Sequence, residues 1–296
     1  MPFTALPGYF RAFESADSEG VDSRAVDHLE LVAHDSWRDL HSQIPADTDT
    51  HHYKLVVLAR HGQGYHNAAL LRYGLEAWED HWSFLVGDEY GDWLDSKLTA
   101  LGKEQVEKTG LQVLAPMVGH IEALPDVFFT SPMRRCLETF IGSWGDIFRR
   151  NNEYLKDSTI PVQVVENLRE RLGEHTCDKR VPHSEVVGEY QHYATDGGNV
   201  INWHYEPGYP EEDELWFEDY RETDAELDER LHTGLSQIFG QLNSDQRFIS
   251  ITCHSGVIQS ILRNLSHPPV RNLDTGKVVC VVVKINVNRL KGASHL

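Results

Sequence analysis

Apolar residues fall along the chain in two alternating rhythms. Short, β-branched apolar runs recur at 54–59, 126–130, 162–165, 248–253 and 278–285. Runs of that length without polar alternation read as strands buried on both faces, the habit of parallel sheets. Between them, at 99–118, 133–149, 224–239 and 257–265, apolar residues stand three and four apart. That spacing lays one apolar stripe along a helix, and Thr99 offers a hydroxyl to cap the first of them. Strands alternating with helices predict βαβ units. The expected fold class is α/β, a three-layer α/β/α sandwich around a mostly parallel central sheet.

Two stretches break the rhythm. Residues 1–52 are polar and irregular, with Pro7-Gly8 and an acidic patch around 14–22, and are expected to be an N-terminal extension packed on the core. Residues of about 172–223 carry Gly, Pro and aromatics but few periodic apolar positions. A segment that long is usually functional or has structure of its own. It is expected to be an insertion over the carboxyl ends of the strands, where open α/β sheets bind ligands. The organisation is then one domain over 53–290, preceded by the extension and followed by a short tail, 291–296.

Charge narrows the partners. The 296 residues hold 27 Lys+Arg against 46 Asp+Glu, a net charge of −19. So acidic a surface repels phosphate backbones, which argues against nucleic acid. The excess is concentrated: the stretch 211–229 has eleven acids and one base, Arg221. The apolar run 278–283 is far short of the roughly 20 residues that cross a bilayer, so no membrane partner is expected. The four cysteines, at 136, 177, 253 and 280, form no C-x-x-C pair and read as free thiols of a reducing compartment. With no basic, then apolar, leader at Met1, the expected location is the cytoplasm, with the nucleus open to it. The last residues, Ser294-His295-Leu296, resemble a variant of the peroxisomal Ser-Lys-Leu address.

The chemistry gathers just past the strand ends. After the first run come Arg60-His61-Gly62-Gln63-Gly64-Tyr65-His66-Asn67, then Ser131-Pro132-Met133-Arg134-Arg135-Cys136-Leu137-Glu138-Thr139 after the second. Leu168-Arg169-Glu170-Arg171 follows the third, and His254-Ser255-Gly256 the fourth. A helix opening at such a point attracts anions, and an arginine beside it clamps phosphate bidentately. One crevice can therefore receive Arg60, His61, Arg135, Glu170 and His254. Metal ligation is not expected, because His51-His52, His175 with Cys177, and His183 lack the usual ligand spacings.

With these motifs, over roughly 53–285, the chain resembles the histidine phosphatase (phosphoglycerate mutase-like) superfamily, in its fungal and plant phosphomutase-like branch. The resemblance implies that His61 attacks phosphorus and becomes a phosphohistidine. Arg60, Arg135 and His254 would neutralise the phosphoryl oxygens, Asn67 would orient the group, and no metal or cofactor would be needed. It also implies a tautomer fixed by a backbone carbonyl and a carboxyl acid, then base, from the Leu-x-Glu-Arg element: Glu170, with Glu174 as the alternative. The mutase form of the first motif has Ser and Trp where this chain has Gly64 and His66. The resemblance therefore favours a phosphatase of small anionic phosphomonoesters (a sugar phosphate, a nucleotide or similar). Three alternatives stay open: a phosphomutase, a catalytically weak binding protein on the same scaffold, and a second-anion site at Arg171, Lys179 or Arg180.

Overall fold

The apolar runs become the centre of one seven-stranded sheet. The computed structural model describes residues 1–14, 19–151, 159–191, 193–194 and 198–293. Its strands are β1 (Phe3–Ala5), β2 (Val21–Asp22), β3 (His51–Arg60), β4 (Gly87–Asp88), β5 (Gly91–Asp92), β6 (Val127–Thr130), β7 (Thr159–Val164), β8 (Val200–His204), β9 (Phe248–Cys253), β10 (Val270–Arg271) and β11 (Val278–Asn286). Its α-helices are α1 (Trp37–Gln43), α2 (Tyr65–Tyr73), α3 (Leu75–Asp80), α4 (Ala100–Thr109), α5 (Ala115–Ile121), α6 (Arg134–Arg150), α7 (His183–Tyr190), α8 (Asp224–Gly240), α9 (Ser255–Asn264) and α10 (Val287–Ala293). No described helix is long and apolar enough to cross a membrane.

The sheet runs β1-β11-β3-β9-β6-β7-β8. Strands β3, β9, β6, β7 and β8 pair in parallel, while β11 lies antiparallel to both β3 and β1. Successive residues Leu55 to Ala59 and Val278 to Val283 are all buried. Both faces of the sheet are thus covered by helices, which makes the three-layer sandwich that the strand and helix rhythm predicted.

Register is what builds the site. Arg60 pairs with Cys253, Thr130 with Thr252, and Thr130 with Val164. Strands β3, β9, β6 and β7 therefore end at one level, and the chain leaves the sheet there in four adjacent places.

Other parts differ from expectation. The extension does more than cover the core, because β1 extends the sheet beside β11 and β2 pairs with β10. The 172–223 insertion folds in two ways: α7 leads to β8, which continues the sheet's far edge, while Gly173 to Asp178 and Arg221 return over the strand ends. The helical stretch from Thr99 reaches Ile121 but contains a π-turn, Gly110–Leu114. Pro116, lacking an N–H, cannot keep the ordinary ladder there. Helices α2 and α3 have no counterpart in the apolar pattern, since α2 buries only Ala69 and presents polar residues to a cavity. The tripeptide Ser294-His295-Leu296 lies outside the described residues.

Buried ion pairs hold the insertion down. Arg169 grips Asp213 at 2.8 and 2.6 Å, both side chains being about 1% exposed, and Arg230 grips Glu222 twice at 2.7 Å. Removing one partner strands a buried charge, a loss of about 3–5 kcal/mol. Asp213→Ala is expected to lose stability on that scale in urea denaturation, and a change under 1 kcal/mol would contradict the latch.

Candidate active site

His61 stands where β3 leaves the sheet. Its backbone N–H donates to the Cys253 carbonyl at 3.0 Å, and its carbonyl accepts from Gly276 at 2.9 Å. The side chain is 3% exposed, and Nδ1 donates to the Gly62 carbonyl at 2.7 Å. A neutral imidazole so bonded carries its proton on Nδ1 and keeps a bare lone pair on Nε2. Burial, then the charges of Arg135 and Arg60, hold its pKa well below the ordinary histidine value. The loop is fixed from α6 and α4: Gly62 N–H donates to Thr139 Oγ1 at 3.0 Å, and Gln63 N–H to Gln105 Oε1 at 2.8 Å.

Arg135, on the first turn of α6, is 1% exposed. Its Nε donates to His254 Nδ1 at 3.2 Å, NH1 to the Cys177 carbonyl at 2.7 Å, and NH2 to Asp178 Oδ1 at 3.1 Å. One N–H on each terminal nitrogen is left for the cavity. Burial pushes the Asp178 carboxyl up to about 6, against the pull of Arg135.

His254 is fully buried, and its ring lies 5.2 Å from that of His61. Since Nδ1 accepts from Arg135, the proton is on Nε2, which donates to Ser131 Oγ at 2.8 Å. Both nitrogens are therefore spent within the protein, and His254 stands behind the cavity wall rather than on its surface.

Arg60 NH1 donates to the Leu273 carbonyl, and burial lowers its pKa. Asn67 accepts Gly64 N–H on Oδ1 at 3.0 Å, which leaves its amide NH₂ for the cavity. Glu170 accepts Gly256 N–H at 3.1 Å and Arg171 N–H at 3.0 Å. A Cβ on Gly256 would come within 2.3 Å of Glu170 Oε1, so the carboxylate reaches the start of α9 only because residue 256 is glycine. Glu170 borders the cavity, whereas Glu174 does not and sits 4.0 Å from His175 Nε2.

These groups surround a cavity of about 320 Å³ lined by Arg60, His61, Asn67, Arg135 and Glu170. Further lining residues to which the sequence assigned no part in the site include His66, Glu79, His175, Asp178 and Arg221. Arg221, the one base of the acidic stretch, was hidden by its neighbours' charge. Of the cations considered for a second anion, Arg171 lines the cavity. Arg180 instead donates to the Pro210, Glu211 and Glu212 carbonyls, and Lys179 lies 4.6 Å from the Trp216 ring centroid.

Sequence spacing also failed for one cluster. A 3₁₀ turn, Thr176–Asp178, brings ligand atoms of His175, Cys177 and Asp178 within 4.8 Å of one another. The Asp178 carboxylate there already faces two guanidiniums, Arg135 at 3.1 Å and Arg221 at 3.8 Å, a poor setting for a cation.

Residues 56–291 match the model of the histidine phosphatase superfamily (branch 1). A protein of Saccharomyces cerevisiae named as a probable phosphoglycerate mutase is 58% identical over 288 residues, spanning 97% of this chain and 98% of its own. One of Arthroderma benhamiae with the same name is 32% identical over 97% of this chain and 85% of its own. A mycobacterial glucosyl-3-phosphoglycerate phosphatase, solved with VO₃, aligns at a TM-score of 0.42 and 18% identity, over 76% of this chain and 90% of that one.

The depressed His61 pKa is directly measurable. In the free protein, NMR titration is expected to show His61 in the Nδ1–H form and still neutral at pH 6.5, its midpoint lying below that value. A midpoint at or above 6.5 would contradict the burial argument.

Proposed function

The chain belongs to branch 1 of the histidine phosphatase superfamily, and from that premise we propose that it is a metal-independent phosphatase of small phosphomonoesters. The observation that carries the proposal is His61: a neutral imidazole whose bare Nε2 meets a cavity bounded by Arg60, Arg135, Asn67 and Glu170.

In the proposed reaction, His61 Nε2 attacks phosphorus in line. The P–O ester bond breaks and its electron pair leaves on the ester oxygen, which takes a proton from the Glu170 carboxyl. Arg60 and the free N–H groups of Arg135 balance the phosphoryl charge. His254 contributes by holding Arg135 and, with Ser131, by filling the space behind it. Glu170, now a carboxylate, then takes a proton from water as the water oxygen attacks phosphorus. The P–N bond breaks and its pair returns to His61. Fixed donors that need no reorganisation as charge moves supply most of the acceleration. Glu170 takes the acid's role over Glu174 because it borders the cavity.

A cavity of about 320 Å³ suits a small ester such as a sugar phosphate or nucleotide. Arg171 and Arg221 line the same cavity and favour an organic half that is itself anionic.

The fungal relatives' names give a second reading, a phosphomutase. A mutase must keep its phosphohistidine from water and return the group to its substrate. The Ser and Trp of the mutase pattern are replaced here by Gly64 and His66, which favours hydrolysis.

A phosphate-release panel separates the readings. Release from several small phosphomonoesters, undiminished in EDTA, is the expected result, and isomerisation of phosphoglycerate without release would select the mutase. His61→Ala is expected to abolish turnover. Glu170→Gln is expected to lower it about 10²–10⁴-fold, and full activity in either variant would remove the assigned role.

A further inference from the structure

The first motif departs from the mutase pattern at two positions, Gly64 and His66, and the structure puts the two residues in contact. His66, on the first turn of α2, lays one edge of its ring on Gly64. A Cβ on Gly64 would lie 2.7 Å from both Nδ1 and Cε1 of His66, and 2.9 Å from Ser96 Oγ. The imidazole fits only because residue 64 has no side chain.

That packing also settles the proton. Nδ1 is buried with no hydrogen-bond partner. Burying an N–H without an acceptor is rarer than burying an unmatched lone pair, so the proton belongs on Nε2. No described residue bonds Nε2, and His66 lines the cavity beside His61, the ring centroids 5.5 Å apart. Burial, then the charge of Arg135, keeps the ring neutral. His254, the other imidazole near the nucleophile, has both nitrogens engaged by Arg135 and Ser131. The imidazole N–H open to the cavity next to His61 is therefore that of His66.

We propose that His66 is a further catalytic residue, its Nε2–H donating a hydrogen bond to a nonbridging oxygen of the phosphoryl group that His61 takes up. The proposal rests on the phosphatase reading above. It also gives the bare Gly64 its reason.

The test is equilibrium binding of inorganic phosphate, by calorimetry on the full chain, together with kcat/KM for a small aryl phosphate. His66→Phe keeps a ring and removes the N–H. It is expected to weaken phosphate binding about tenfold, the worth of one hydrogen bond to a charged group, and to lower kcat/KM at least as much. His66→Gln restores a donor near the Nε2 position and is expected to recover most of both losses, which a merely space-filling role would not do. Phosphate binding within twofold of the unmodified chain in His66→Phe overturns the proposal. So does an unchanged phosphate affinity with an altered ranking of esters, which would place His66 against the leaving group.

If His66→Phe does not fold, Gly64→Ala probes the same contact. Its φ of −87° and ψ of 167° suit any residue, and its methyl presses on the imidazole. It is expected to weaken phosphate binding several-fold, and unaltered binding would likewise overturn the proposal. Failure of the unmodified chain to bind phosphate would remove the phosphatase reading and this one with it, whereas binding indifferent to residue 66 removes this one alone.

Discussion

A buried guanidinium organises this molecule. Arg135 is 1% exposed, and a charge taken that far from water costs several kcal/mol unless it is paired and fully hydrogen-bonded. Its partners come from separate parts of the chain: His254 from the end of β9, and the Cys177 carbonyl and Asp178 from the insertion. The insertion is therefore not an ornament on a finished domain. It supplies the counter-ion that lets an arginine stand beside His61, and it is itself fastened by Arg169 to Asp213 and Arg230 to Glu222.

The same burial acts on the imidazoles in the opposite sense. Desolvation and the neighbouring guanidiniums keep His61, His66 and His254 neutral. Positive charge in the cavity is thus carried by groups that do not titrate, above all Arg60, Arg135 and Arg221, with the Arg171 guanidinium already bonded to the Glu222 carbonyl and Asp224, while His61 keeps its lone pair. The net charge of −19 fits this arrangement. Several acids of the 211–229 stretch are spent on the chain itself: Asp213 on Arg169 and Glu222 on Arg230 inside the protein, Asp228 on Arg263 and Glu226 on the Thr223 cap at its surface.

Much of this was legible in the sequence because it depends on local pattern. Unbroken apolar runs give parallel strands, and residues directly after such runs must emerge at one rim of the sheet. That logic placed Arg60, His61, Arg135, Glu170 and His254 near one another. It could not show that His254 faces Arg135 and Ser131 instead of the cavity, because side-chain direction at a strand end is decided by tertiary partners. It expected a helix to open after the first motif but not the extent of α2, whose cavity face breaks the apolar period, and it did not find the strand β8 inside a segment rich in Gly and Pro. Arg221 and Asp178 were hidden for a third reason: one lies in an acidic run and the other in a short turn, and only the folded insertion gives them a common neighbour.

The central claim is that His61 carries the phosphoryl group and water removes it. Rapid-quench mixing with a ³²P-labelled phosphomonoester tests this most directly. The account predicts a transient, acid-labile and base-stable label on His61 that decays to inorganic phosphate and persists longer in Glu170→Gln. Steady phosphate release with no label on His61 at any quench time would contradict it.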